Sequence, residues 1–289
     1  MNSGNGFVLP EGFQLGHAGN GRTGVTVLVC EAGAVGGADV RGGAPGTRET
    51  DLLSPYKSMN EVHAVVLSGG SAYGLESCCG VMHALRERNV GFKAGGDKLV
   101  PIVPGAVIFD LNHAGYDYPD MAMGRQAVDN AYRNEKPVFG CAGAGIGATV
   151  AKIYGARGAK KGGVGGATVR SGNILVSAVV VVNALGEIYD HRTGKKLAAA
   201  GAASGGPQMG HNTTIGCVMT NARLKKIEAN KLAMLGHNGL ARTIRPIHTD
   251  FDGDALFALS YGADKTDFTA LGEMAVEAVS LAVINALEI

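Results

Sequence analysis

Asn212-Thr213-Thr214 is the stretch of this chain best suited to chemistry. It joins residues 191–211, rich in small residues with little to pack, to TTIGCVMT, whose β-branched and apolar residues predict a strand. Cutting the bond before Thr213 would put an α-amine and a hydroxyl on one residue at the head of that strand. An N-terminal threonine with its own amine as base is an activated nucleophile. Read locally, the same triplet is a polar turn entering a strand.

Other residues could serve such a nucleophile. Lys152 interrupts the apolar run Ala148-Thr149-Val150-Ala151-Lys152-Ile153-Tyr154, and Asn183 closes the most apolar run of the chain, which begins ILVSAVVVV at Ile174. Residues so placed are commonly edge or snorkelling positions. Buried together, however, a lysine can depress the pKa of a nearby hydroxyl and an asparagine amide can hold an oxyanion. Asp250-Phe251-Asp252-Gly253-Asp254 reads as an Asp-Gly turn; its alternative is a carboxylate pair that holds an ammonium or orients a hydroxyl. As a calcium loop it fails, because Ala255 and Tyr261 stand where an EF-hand needs glycine and glutamate.

Rival chemistries are weaker. Gly143-Ala144-Gly145-Ile146-Gly147-Ala148 approaches a dinucleotide fingerprint, but no acid-ended second strand follows at the required distance. Gly69-Gly70-Ser71-Ala72-Tyr73-Gly74 lacks the second glycine of a serine-hydrolase elbow, since Tyr73 takes its place. It reads better as a turn into a helix whose free N–H groups could face a ligand. The eight histidines show no HExxH spacing, and the five cysteines form no CxxC pair. Neither a metal site nor a disulfide framework is expected, and no cofactor is implied.

The elements that must position these residues alternate irregularly. Strands are expected at 22–30, 62–67, 98–109, 174–182, from 213 onward and at 256–260. Helices are expected at 73–88, 124–132, 223–235 and from an N-cap at Thr266-Asp267 towards the end of the chain. The last is apolar almost all round, so it should be covered on two sides. Mixed strands and helices without regular βαβ alternation favour an α+β layered sandwich in a single domain, residues 1–289.

Composition narrows the function. Of 289 residues, 46% are hydrophobic, and 26 basic residues nearly cancel 25 acidic ones, which argues against a nucleic-acid or membrane-surface partner. The amino terminus lacks a charged start followed by an apolar stretch, and unbroken apolar runs are short, so a cytoplasmic setting is expected. The 46 glycines are aperiodic and many lie inside apolar β-like runs, suggesting backbones packed closely against each other or a ligand.

These pieces together resemble the self-cleaving aminopeptidase and amidase family that includes D-aminopeptidase/esterase, β-peptidyl aminopeptidases, a pantetheine hydrolase and the nylon-oligomer hydrolase. The resemblance runs through GVTVLVCEAGAVGGADVRGGAPGTRETDLL from Gly24, LSGGSAYGL from Leu67, VPIVPGAVIFDL from Val100, VVVVNALGEI from Val179 and NTTIGCVMTNARL from Asn212. It implies a four-layer αββα sandwich resembling N-terminal-nucleophile hydrolases, and self-cleavage into residues 1–212 and 213–289. It further implies cleavage at Asn212–Thr213, with Thr213 as nucleophile and Lys152 near its hydroxyl. Asn183 would hold the oxyanion, and Asp252 and Asp254 would position the new amine and hydroxyl. Phe109 would stand in the substrate pocket where relatives often carry a tyrosine; Ser71 and Tyr73, at the turn whose N–H groups could face a ligand, are expected in the same pocket. Asn-Thr at the junction and the later Asp-Gly-Asp are more similar to the nylon-oligomer and pantetheine hydrolases than to the aminopeptidases. The implied activity is hydrolysis of a small amide or peptide by a homo-oligomer, a tetramer of the processed unit. Alternatives are an acyltransferase of the ornithine acetyltransferase type, which also self-cleaves before threonine, and a non-enzymatic small-molecule binder.

Overall fold

The computed structural model describes residues 6–201, 206 and 211–287; most of the expected linker before Asn212 lies outside them. Nine strands form one hydrogen-bonded system: β1 (Gln14–Gly19), β2 (Gly24–Val40), β3 (Thr47–Arg48), β4 (Glu61–Ser68), β5 (Gly105–Val107), β6 (Gly163–Ser171), β7 (Ile174–Asn183), β8 (Thr213–Ala222) and β9 (Ala255–Asp264). Their order is β6-β7-β8-β9-β2-β4-β5-β3, with β1 alongside β2. The 17-residue β2 is shared by both halves: its first half pairs with β1 and β4, its second half with β9.

Four helices cover the strands: α1 (Ser77–Glu87), α2 (Met121–Tyr132), α3 (Lys226–Thr243) and α4 (Phe268–Asn285). Period-two alternation along the strands decides which layer each residue enters. In β7, Val176, Ala178, Val180 and Val182 pack with Leu232 and Leu240 of α3 and Ala275 and Val279 of α4. The intervening Val179 and Val181 instead join Leu28, Val65, Leu67, Ile215 and Phe257 between the two halves of the strand system. On the far side, Val25, Val27, Ala64 and Val66 pack against Val81 and Leu85 of α1 and Val128 of α2. Three cores in succession make a four-layer αββα sandwich.

Some elements depart from expectation. The 98–109 strand shrinks to short pieces, because prolines at 101 and 104 remove ladder donors. The start of the 73–88 helix is instead a 3-10 segment, Ser71–Glu76. Strand β6 (GVGGATVRS) carries too little apolar patterning to be read from sequence. Its glycine is sterically required: a Cβ on Gly165 would lie 2.0 Å from the carbonyl oxygen of Ala282 in α4. That helix is 18 residues long and apolar enough by composition to cross a membrane, yet here it is a core helix packed on β6, β7 and α3. Its N-cap is as expected, with the Asp267 side chain accepting from the Ala270 N–H.

Candidate active site

Strand register brings the candidate residues to one end of the sheet. β7 and β8 are antiparallel, and the last residue of β7, Asn183, pairs with the first of β8, Thr213. β8 and β9 are parallel, so the residues preceding both strands also meet. Asn212 forms a parallel bridge with Asp252, immediately ahead of β9. Asn212, Thr213, Asn183, Lys152, Asp252 and Asp254 are all buried. Segments up to 102 residues apart thus converge because three strands begin or end at the same edge (254 − 152 = 102).

The Asn212–Thr213 peptide bond lies at the centre. The Thr213 hydroxyl donates to the carbonyl oxygen of Asn212 at 2.5 Å, and the backbone N–H of Gly253 donates to the same oxygen at 2.9 Å. A carbonyl gripped in this way is polarised, and the Gly253 N–H is placed to stabilise negative charge developing on it. Asn183 behaves differently from the implied oxyanion role: its side-chain nitrogen donates to the carbonyls of Phe109 (3.1 Å) and His211 (3.2 Å).

Lys152 lies on the other flank. Its backbone N–H donates to the carbonyl of Leu185 and that of Ala151 to Gly186, holding the segment beside the end of β7. Its ammonium donates to the Asn183 carbonyl (2.9 Å), the Asn183 side-chain oxygen (3.0 Å) and the His211 carbonyl (3.0 Å). Burial pulls its pKa down to about 7, partly opposed by the negative charge of Asp252. No hydrogen bond joins Lys152 to the Thr213 hydroxyl, which is turned to its own preceding carbonyl.

The acidic flank is held by backbone. One oxygen of Asp254 accepts from the Thr214 N–H (2.6 Å) and the other from the His248 N–H (3.1 Å) and ring Nδ1 (2.8 Å). One oxygen of Asp252 accepts from the Thr249 N–H (2.9 Å) and hydroxyl (2.5 Å), while the other is buried with no hydrogen-bond partner within ordinary distance among the described residues. Burial, then the neighbouring Asp254, raises the Asp252 pKa. The glycine-rich loop after β2 laces onto this turn: Arg41 and Gly42 donate to the Asp254 carbonyl, Ala44 to the Asp252 carbonyl and Gly43 to that of Thr249. The approach is close enough that a Cβ on Gly42 would lie 2.3 Å from the Asp252 carbonyl oxygen.

A cavity of about 220 Å³ opens beside the junction, lined by residues including Phe109, Asp110, His113, Thr149, Lys152 and His211. The Phe109 ring stacks on the His211 ring, centroids 4.0 Å apart and planes 10° apart. Ser71 and Tyr73 do not line it. The N–H groups expected to face a ligand are occupied: Gly70 donates to the Asp110 carboxylate (2.6 Å) and Ser71 to the Ile108 carbonyl (2.9 Å). Tyr73 is half-exposed and stacks on Tyr118 instead. Among the described residues no group of three or more His, Cys, Asp or Glu side chains could hold a metal ion.

Sequence reasoning passed over Gly253 as a donor, His248 and Thr249 as supports of the carboxylates, and the loop at 41–44 as their cradle. The unusual run Arg41-Gly42-Gly43-Ala44 was visible, but its partner turn, Thr249 to Asp254, was not.

Comparison with known proteins supplies the family. The model of Peptidase family S58 matches residues 11–288. An uncharacterised aminopeptidase of Mycobacterium leprae is 43% identical over 273 residues, covering 86% of this chain and 73% of its own. The 6-aminohexanoate-oligomer endohydrolase of Kocuria sp. is 37% identical, covering 93% of this chain and 82% of its own. Among solved structures, the L-aminopeptidase D-Ala-esterase/amidase of Ochrobactrum anthropi, described as a variant of the Ntn-hydrolase fold, superposes with a TM-score of 0.71 at 18% identity. It covers 96% of this chain and 84% of that one. A Burkholderia sp. beta-aminopeptidase gives 0.66 at 20% identity, with the same coverages. At these identities the two structures speak for the fold alone.

Proposed function

Because this chain belongs to peptidase family S58 and is a hydrolase of amide bonds, we propose that Thr213 makes itself the nucleophile by cutting the bond before it. The observation that carries this reading is the Asn212 carbonyl, held between the Thr213 hydroxyl and the Gly253 N–H. In the cut, the Thr213 Oγ1 gives up its proton and adds to the Asn212 carbonyl carbon, the C–N bond breaks, and the leaving nitrogen takes up that proton to become the new α-amine. Water then hydrolyses the resulting ester to the Asn212 carboxylate and free Thr213. With its pKa near 7, Lys152 has a large neutral fraction at neutral pH and can draw the hydroxyl proton once the side chain turns towards it. The same depressed pKa lets it return that proton.

After the cut the new amine supplies a base with an ordinary pKa of about 7.7–8.0, close to the pH of the reaction. The Asp252 oxygen that has no hydrogen-bond partner among the described residues would accept from that amine, since Asp252 bridges to the residue just before it. Asp254 holds the Thr214 N–H and so fixes the strand that carries the nucleophile. A substrate amide then acylates Thr213, its amine leaves, and water releases the acid. The relatives' names put peptides and 6-aminohexanoate oligomers among the substrates to test.

Thr213→Ala and Thr213→Ser variants beside the wild type on a denaturing gel test the reading. The alanine variant is expected to stay uncut and inactive, and the serine variant to cut more slowly. An active, uncut alanine variant would overturn it.

A further inference from the structure

The residues before the cut describe the acyl side of the substrate site, given that Thr213 is the nucleophile. Self-cleavage and substrate hydrolysis use the same hydroxyl and the same Gly253 N–H, so the two scissile carbonyls must occupy one place. What precedes that carbonyl must then leave it through the same space. In the chain itself that space holds His211. Its carbonyl accepts from both the Lys152 ammonium (3.0 Å) and the Asn183 side-chain nitrogen (3.2 Å), and its ring lies flat on Phe109.

From this juxtaposition we propose that the enzyme prefers amides whose acyl-side residue is itself acylated. The carbonyl one residue back would be held by Lys152 and Asn183, with a planar group against Phe109. The substrate class is therefore an internal amide of a peptide or oligomer, not the first amide after a free amine. An ammonium in the place of the His211 carbonyl would face two N–H donors. Among the described residues lining the cavity, the one carboxylate is Asp110, and both its oxygens are engaged, by the Gly70 N–H and the Thr23 hydroxyl (2.7 Å). Losing two hydrogen bonds from buried donors is expected to cost about 10- to 100-fold in kcat/KM.

The test uses the processed wild-type protein with two chromogenic substrates, acetyl-His-Asn-p-nitroanilide and Asn-p-nitroanilide, and titrates the corresponding acids, acetyl-His-Asn and Asn, by calorimetry. The acylated substrate should be hydrolysed at least about tenfold more efficiently, and acetyl-His-Asn should bind correspondingly tighter than Asn. Equal or faster hydrolysis of Asn-p-nitroanilide overturns the preference and leaves the nucleophile intact. Hydrolysis of neither substrate counts against Thr213 as an amidase nucleophile, and the binding arm still decides: absent or equal binding of acetyl-His-Asn overturns the subsite. In Phe109→Ala the advantage of acetyl-His-Asn over acetyl-Gly-Asn should fall to about onefold if the ring is the platform; an unchanged advantage removes Phe109 from the proposal.

Discussion

The two flanks of the Asn212–Thr213 bond are built by different means. On the acidic flank, Asp252 and Asp254 sit in a turn fastened by the backbone of residues 41–44 and by N–H groups of Thr214, His248 and Thr249. On the basic flank, one buried amine gathers three oxygens, and one of these belongs to His211, in the segment that ends at the cut. The acidic flank is held by backbone; the basic flank centres on a single amine whose pKa is lowered to about 7. On the proposed reading, positioning and proton transfer fall to separate structures.

Several substitutions would break or sharpen that contrast. The largest effect is expected at the proposed nucleophile between the flanks: Thr213→Ala should reduce amide hydrolysis by about 10³-fold or more, read from kcat/KM. Gly253→Ala comes next, because its Cβ would lie 2.6 Å from the Ala44 carbonyl oxygen and 2.9 Å from the Thr213 hydroxyl. Displacing the N–H from the Asn212 carbonyl should slow the cut by about 10²- to 10³-fold, measured by band intensity over time. Near-normal processing would show that the acidic flank is less rigid than its hydrogen bonds suggest.

The basic flank is tested by pH. Lys152 has a pKa lowered to about 7, so its neutral form, the base, gains as pH rises through 7. The rate of self-cleavage should fall about tenfold from the plateau by pH 6 and stay flat above pH 8. Lys152→Met should be slow throughout and lose that limb; a retained limb would move the titration to another group. A smaller effect, about three- to tenfold in kcat with KM little changed, is expected for His248→Gln, because Asp254 keeps the His248 N–H and the Thr214 N–H. Phe109→Tyr should change activity least, by a few-fold at most.

Much of this arrangement was legible in the chain itself. Val176 to Val182 and the Thr213 strand announced themselves by β-branched runs, and the apolar last helix by its lack of a polar face. Lys152 and Asn183 were conspicuous as polar residues in apolar runs; the register of β7 on β8 brings Asn183 to Thr213, and backbone bonds from Ala151 and Lys152 to Gly186 and Leu185 bring Lys152 to Asn183. Strand β6 was not legible, because Gly165 is set by contact with α4 and Gly166 by the Phe139 ring, contacts that only the fold reveals. The Gly253 N–H was hidden for a related reason: a backbone donor has no residue type to betray it. Ser71 and Tyr73 looked like pocket residues because a glycine-rich turn into a helix commonly offers N–H groups, but Asp110 and Ile108 take those groups here.

The measurement closest to the central claim is the intact mass of freshly prepared protein, followed over time alongside amide hydrolysis. Two fragments should appear, divided between Asn212 and Thr213, and activity should rise in proportion to their amount. A single uncut mass with full, constant activity would contradict the account.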